Sequence, residues 1–140
     1  MPDPSSVPLG GSSPRALIAD DDPDVRAVLV AQLIGSFDIV GTAADTDEAI
    51  ALASETRPDI AIVDVQMPGG GGLRATREIR GAAPETTVVA LSSDESERVV
   101  LEMLNAGAVA YVRKGVGADE LVALLHEALR AQGKLPADRP

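Results

Sequence analysis

Five polar side chains stand at the ends of short apolar runs: Asp20 and Asp21 after Ala16–Ala19, Asp64 after Ile60–Val63, Ser92 at the end of Thr86–Ser92, and Lys114 just beyond Val109–Val112. Brought to one place, they could carry out a phosphoryl transfer. One carboxylate attacks in line, while a bound cation and a fixed lysine neutralise the charge on the equatorial oxygens. Three carboxylates in one cleft repel one another unless a cation joins them. Oxygen-only ligands with room for water favour Mg2+ over zinc, which prefers nitrogen and sulfur, and over a caged Ca2+. Taken singly, each residue has a plainer reading. Asp20–Asp22 could be a helix cap with spare charge, Ser92 and Ser93 turn residues, and Lys114 a solvated surface lysine. Only a joint placement makes a site.

That placement depends on the elements between them. The central stretch is Ile60–Gly72, IAIVDVQMPGGGG, where Met67-Pro68 and four glycines stop the strand that delivers Asp64. Met1–Pro14 is rich in Pro, Ser and Gly without an apolar period and reads as a disordered leader. Ala16–Ala19 reads as a strand. Asp22-Pro23 then caps a helix with Val25, Val28, Leu29 and Leu33 inward and Gly35 as its stop. Phe37–Thr42 alternates as an edge strand does. Asp45 with Glu48 opens a second helix, which ends before Arg57-Pro58.

A third helix starts near Leu73, carries Thr76, Arg77 and Ile79, and closes at Gly81. Asp94 with Glu97 caps a fourth, with Val99, Val100, Met103 and Leu104 on its apolar side and Gly107 as its stop. The fifth sets Leu121, Leu124, Leu125, Ala128 and Leu129 on one stripe, leaves His126 outside it as a solvated side chain, and stops at Gly133. KLPADRP forms a tail.

Strand and helix thus alternate five times with short connections. The expected fold is α/β: a flavodoxin-like, doubly wound (βα)5 domain with a five-stranded parallel sheet in the order 2-1-3-4-5. Strands 1 and 3 then lie side by side, and a ligand crevice opens at their carboxyl ends. Asp20, Asp21 and Asp64 meet there, with Ser92 and Lys114 on the adjacent strand ends. The expected organisation is a leader over 1–14, one domain over 15–131, and a tail over 132–140.

Composition narrows the function. A chain of 140 residues with 45% hydrophobic content buries one core. Twelve basic against 22 acidic residues give a net charge of −10, which argues against direct binding to nucleic acid or to an anionic membrane surface. Without cysteine there is no disulfide, zinc–thiolate site or cysteine nucleophile. No basic segment precedes an apolar one at the N-terminus and no run reaches the ~20 residues that span a bilayer, so a soluble, cytoplasmic chain is expected. One Tyr, one Phe and no Trp leave little to hold a flavin ring, and three acids stand where an electron carrier needs a phosphate-cradling loop. An aspartyl-phosphate phosphatase would place a second acid two residues beyond its nucleophile, where this chain has Gln66.

From about Arg15 to Arg130 the chain resembles a receiver domain of a two-component response regulator. The resemblance rests on the acidic pair Asp20-Asp21, on the DxxMPGxxG core of Asp64, Met67, Pro68, Gly69 and Gly72, and on Tyr111 and Lys114 as a Tyr-x-x-Lys. It implies that Asp64 is the phospho-acceptor and that Asp21, Asp64 and the backbone carbonyl of Gln66 bind Mg2+, with Asp20 helping through water. It further implies that Ser92 follows the phosphoryl group, that Lys114 is the family's lysine, and that Tyr111 changes rotamer on activation. Gln66 and Asp94 fall at positions that tune the lifetime of the phosphoryl group. Gly115 departs from the pattern, since proline often follows the lysine.

The implied function is a signalling switch and not a metabolic enzyme. A sensor histidine kinase or histidine phosphotransfer protein donates to Asp64, and the surface of helix 4, strand 5 and helix 5 then controls a downstream effector or output domain. Glu95, Arg98, Glu102, Arg113 and the exposed side of Ala118–Arg130 are its expected contacts. A homodimer stays open, although Val109-Ala110 supplies no acid for the acidic and basic pairs by which family members dimerise around strand 5. The alternative is a pseudo-receiver, an interaction module that is never phosphorylated; the intact set of acids, hydroxyl and lysine argues against it.

Overall fold

The computed structural model describes residues 13–93 and 96–135. Most of the expected leader, Asp94, Glu95 and residues 136–140 of the expected tail lie outside the described residues. In chain order the elements are β1 (Arg15–Ala19), α1 (Pro23–Leu33), β2 (Asp38–Ala43), α2 (Thr46–Thr56), β3 (Ile60–Asp64), α3 (Gly71–Ala82), β4 (Thr87–Ser92), α4 (Glu97–Ala106), β5 (Ala110–Arg113) and α5 (Ala118–Ala131). The sheet runs β2-β1-β3-β4-β5 with every pair parallel, the expected order. No helix among the described residues is long and apolar enough to cross a membrane.

Two apolar layers hold the helices to the sheet, because alternate side chains of each strand face opposite sides. On one face Ala16, Ile18, Ile60, Ile62, Val89 and Leu91 meet Leu29 and Leu33 of α1 and Leu121, Leu125 and Leu129 of α5. On the other, Leu17, Ala19, Ala61, Val63, Val88 and Ala90 meet Ala49 and Ala53 of α2, Ala75 and Ile79 of α3, and Met103 of α4. β3 is buried along its whole length, as a central parallel strand must be. Its partner β1 is buried from Ala16 onward, whereas edge strand β2 is buried only at Ala43.

Local chemistry starts and stops these helices. Asp22 caps α1 by accepting from Asp24 N–H at 2.8 Å, with Pro23 in the first turn. Asp45 accepts from Glu48 N–H while Glu48 accepts from Ala44 N–H, closing the entry to α2. That helix ends at Arg57, held at a φ of 45° ahead of Pro58.

Several expectations are corrected. The third helix begins at Gly71, not near Leu73, and Gly81 lies inside it, so two of the four glycines belong to the helix and not to the loop. The cap of α4 is Ser96, whose Oγ accepts from Val99 N–H, in place of Asp94. Val28 is 54% exposed and Leu104 39% exposed, so neither faces inward as periodicity suggested. His126 is half-buried, its ring 5.3 Å from that of Phe37, and is not a solvated side chain. Lys134, expected in the tail, reaches back to the amino ends of β3 and β4: its Nζ donates to the carbonyls of Asp59 and Glu85 and, at 2.8 Å, to Thr87 Oγ1.

Gly72 marks the closest packing. A Cβ there would lie 2.6 Å from Asp64 O and 2.8 Å from Val65 Cα, both backbone atoms, whereas a Cβ at Gly81 meets nothing within 4 Å. Gly72→Ala is expected to lose about 1–3 kcal/mol in urea unfolding through overpacking. Gly81→Ala is expected to be neutral or to gain up to about 1 kcal/mol from helix propensity. Equal stability of the two variants would contradict the close approach of α3 to the end of β3.

Candidate functional site

The carboxyl ends of the strands bring the expected residues together. Asp64 ends β3 and is only 2% exposed; Asp20, directly after β1, is fully buried, while Asp21 is exposed. β1 and β3 are adjacent, with Ala19 opposite Val63. β4 sets Leu91 beside Asp64, and Ser92, buried at the same end, pairs in register with Arg113 of β5. The backbone ties these ends further, Val65 N–H to Leu91 O and Lys114 N–H to Ser92 O, each at 3.0 Å.

Lys114 is not a solvated lysine. Its Nζ lies 2.9 Å from Asp20 Oδ2 and 3.3 Å from Asp64 Oδ1, so one cation bridges both buried acids. Burial works against the charged amine, but the adjacent Asp20 and Asp64 carboxylates outweigh it and hold Lys114 above the usual lysine range. At Asp64 the balance favours the neutral form instead. Burial pushes its carboxyl up to about 6 from an ordinary 3.8, the Gln66 N–H and Lys114 pull it down, and Asp20 adds to the rise. The Gln66 N–H donates to Asp64 Oδ1 at 3.2 Å, and Asp22 N–H donates to Asp20 Oδ1 at 2.9 Å.

Asp20, Asp21 and Asp64 each offer a carboxylate oxygen within 4.8 Å of the other two. Such a cluster could hold a metal ion. Its donors are all hard oxygens, two of them desolvated and held by strand ends and the third exposed, which fits a hard divalent cation that keeps part of its water shell. Lys114 supplies one positive charge against three carboxylates, which leaves the cluster short of cations.

The other expected residues divide. Tyr111 is half-buried on β5 and packs on the face covered by α2, α3 and α4; its buried hydroxyl has no hydrogen-bond partner among the described residues. Gln66 is exposed on the loop after Asp64. Asp94 lies outside the described residues. Gly115 sits at a φ of 95°, which proline cannot adopt, so the departure from the family pattern is built into the backbone here. Sequence reasoning passed over Arg26, whose guanidinium donates to Asp20 O at 2.7 Å from α1. A cation one helical turn beyond an acidic run was the available signal.

The shift at Asp64 has a sign that can be read in stability. Between pH 3.8 and about 6 the folded chain keeps a proton on Asp64 that the unfolded chain releases, so stability falls as pH rises through that window. Asp64→Asn is therefore expected to be more stable than the native chain at about pH 7.5 without metal, by on the order of 2 kcal/mol, with the gap closing below about pH 4. Urea titrations at the two pH values check this; a gap that does not change with pH would contradict it.

Comparison with known proteins agrees with the geometry. The family model for the response regulator receiver domain matches residues 16–126. The response regulator GacA of Pseudomonas viridiflava is 38% identical over 110 residues, which is 77% of this chain and 51% of that protein. The chain spans about half the length of the curated relatives it matches. Among solved structures, a two-component response regulator of the LuxR family from an Aurantimonas species superposes with a TM-score of 0.79 at 34% identity, covering 86% of this chain and 87% of that one. A CheY-like response regulator receiver domain protein from Methanospirillum hungatei gives 0.81 at 26% identity, covering 88% and 98%. With its acids, hydroxyl and lysine gathered at one sheet edge, the chain belongs to the response regulator receiver domain family.

Proposed function

We propose that the chain is a phosphorylation switch, with Asp64 accepting a phosphoryl group from a phosphohistidine on a sensor kinase or phosphotransfer partner. The observation that carries this reading is the pairing of one lysine with two buried carboxylates beside an exposed third. An Asp64 carboxylate oxygen attacks phosphorus as the P–N bond breaks, and the electron pair stays on the departing imidazole. Asp21, Asp64 and the Gln66 carbonyl would hold Mg2+, with Asp20 helping through water, and the ion would supply neutralisation of charge on the transferring oxygens. Lys114 adds a fixed positive charge and Ser92 a hydroxyl at the neighbouring strand end. With its carboxyl pushed up to about 6, Asp64 is mostly ionised and able to attack at neutral pH, and a bound cation would favour the attacking carboxylate further.

Phosphorylation would bias the α4, β5 and α5 surface toward a second state through Ser92 and Tyr111. A buried hydroxyl without a partner among the described residues leaves the Tyr111 rotamer with little to lose by moving. Arg98, Glu102, Arg113 and the exposed side of α5 would meet an effector or output domain, and Leu101, 52% exposed on α4, adds apolar area there. Gln66 and Asp94 would tune how long the phosphoryl group survives. This chain's charge of −10 argues that any nucleic acid is met by another domain and not by this one.

Intact-protein mass after incubation with a small phosphoryl donor and Mg2+ tests the proposal. The expected outcome is a gain of one phosphoryl group, about 80 Da, abolished in Asp64→Ala and by a chelator. No gain under any condition would leave the fold unchanged and return the function to a phosphorylation-independent interaction module.

A further inference from the structure

We infer that Thr46, at the start of α2, is a positioning residue for the loop that follows the acceptor strand, and that it sets the affinity of the acidic site for its metal. The inference rests on the Mg2+ reading above. Asp20 and Asp64 are held by strands, but Gln66 stands on a loop whose last residues, Gly69 and Gly70, have positive φ, as does Gly71 at the first position of α3. These residues have no side chains with which to fix the loop, and glycine-rich backbone costs the most entropy to order. Its base is closed by Gly72 N–H on Val65 O at 2.8 Å. Its far side must be held from outside.

The N-terminus of α2 does this. Thr46 is fully buried, its Oγ1 accepts from Gly71 N–H at 3.0 Å, and the same hydroxyl lies 3.4 Å from Gly71 O as a donor. Its own N–H donates to Pro68 O at 3.0 Å. From outside, Arg74 donates to Gly69 O at 2.7 Å and to Asp47 of α2 at 2.8 Å. The strand that leads into α2 is in turn bound to the site, Asp20 N–H donating to Ala43 O at 3.0 Å. One helix end therefore ties the Gln66 loop to the same framework that holds Asp20. Groups that orient ligands in this way alter metal affinity without touching the ion.

The test compares Thr46→Val, which keeps the shape and removes the hydroxyl, with Thr46→Ser, which keeps the hydroxyl. Two readouts are taken: hydrogen exchange of the Gly71 amide without metal, and Mg2+ binding by calorimetry. Thr46→Val is expected to exchange Gly71 about tenfold faster with Ile62 unchanged, and to bind Mg2+ about tenfold more weakly. Thr46→Ser is expected to match the native chain in both. Unchanged Mg2+ affinity in Thr46→Val, or unchanged Gly71 exchange, would overturn the inference while leaving the metal reading intact. No Mg2+ binding by the native chain would overturn that reading and the inference with it. Should Thr46→Val fail to fold, Arg74→Gln loosens Gly69 from the surface and is judged by the same readouts, with Gly69 or Gly70 as the reporting amide.

Discussion

Two carboxylates taken out of water must share a cation, and in this chain much else follows from that requirement. Asp20 and Asp64 are buried at the ends of adjacent central strands, where an unpaired charge would be costly. The lysine that joins them comes from the far edge of the sheet, beyond β4. The electrostatics of the site therefore depend on the order of four strands and on the backbone bonds, Lys114 N–H to Ser92 O among them, that hold the last of these in place. Remove the sheet order and the acids lose their counter-charge.

The two faces of the sheet serve this arrangement differently. Leucines and isoleucines dominate under α1 and α5 and make a thick apolar layer. Alanines are frequent under α2 and α3, which lets these helices come close to the sheet. Close approach is what puts the first turn of α2 within hydrogen-bonding distance of the loop after Asp64, and what leaves room only for glycine at position 72. Small residues on one face thus act on the site from a distance, by deciding how near the backbone of one element can come to another.

Much of this was legible beforehand. Caps such as Asp22-Pro23 and Asp45 with Glu48 announce helix starts through local hydrogen bonding, which short sequence spacing captures. Fully apolar Ile60–Val63 marks a central strand, and the acids, hydroxyl and lysine at strand ends mark the site. The misreadings have physical causes. Gly71 and Gly72 look like loop by propensity, yet α3 begins there because Gly72 must pass close to Val65. Val28 and Leu104 keep the helical period of their neighbours but stay exposed among the described residues. His126 sits off the stripe and still finds Phe37, because the segment between α1 and β2 folds across α5.

The amino-acid order by itself determined the alternation of strands and helices, the caps of the first two helices, and which residue types stand at strand ends, since each depends on neighbours within a few positions. The tertiary structure alone decided that Lys114 bridges Asp20 and Asp64, that burial lifts Asp64 while both acids hold Lys114 up, and that Thr46 fastens Gly71. Those pairs lie 94, 50 and 25 residues apart in sequence. Nothing in local spacing encodes such distances; they are set when the sheet assembles and water is driven from between its strands.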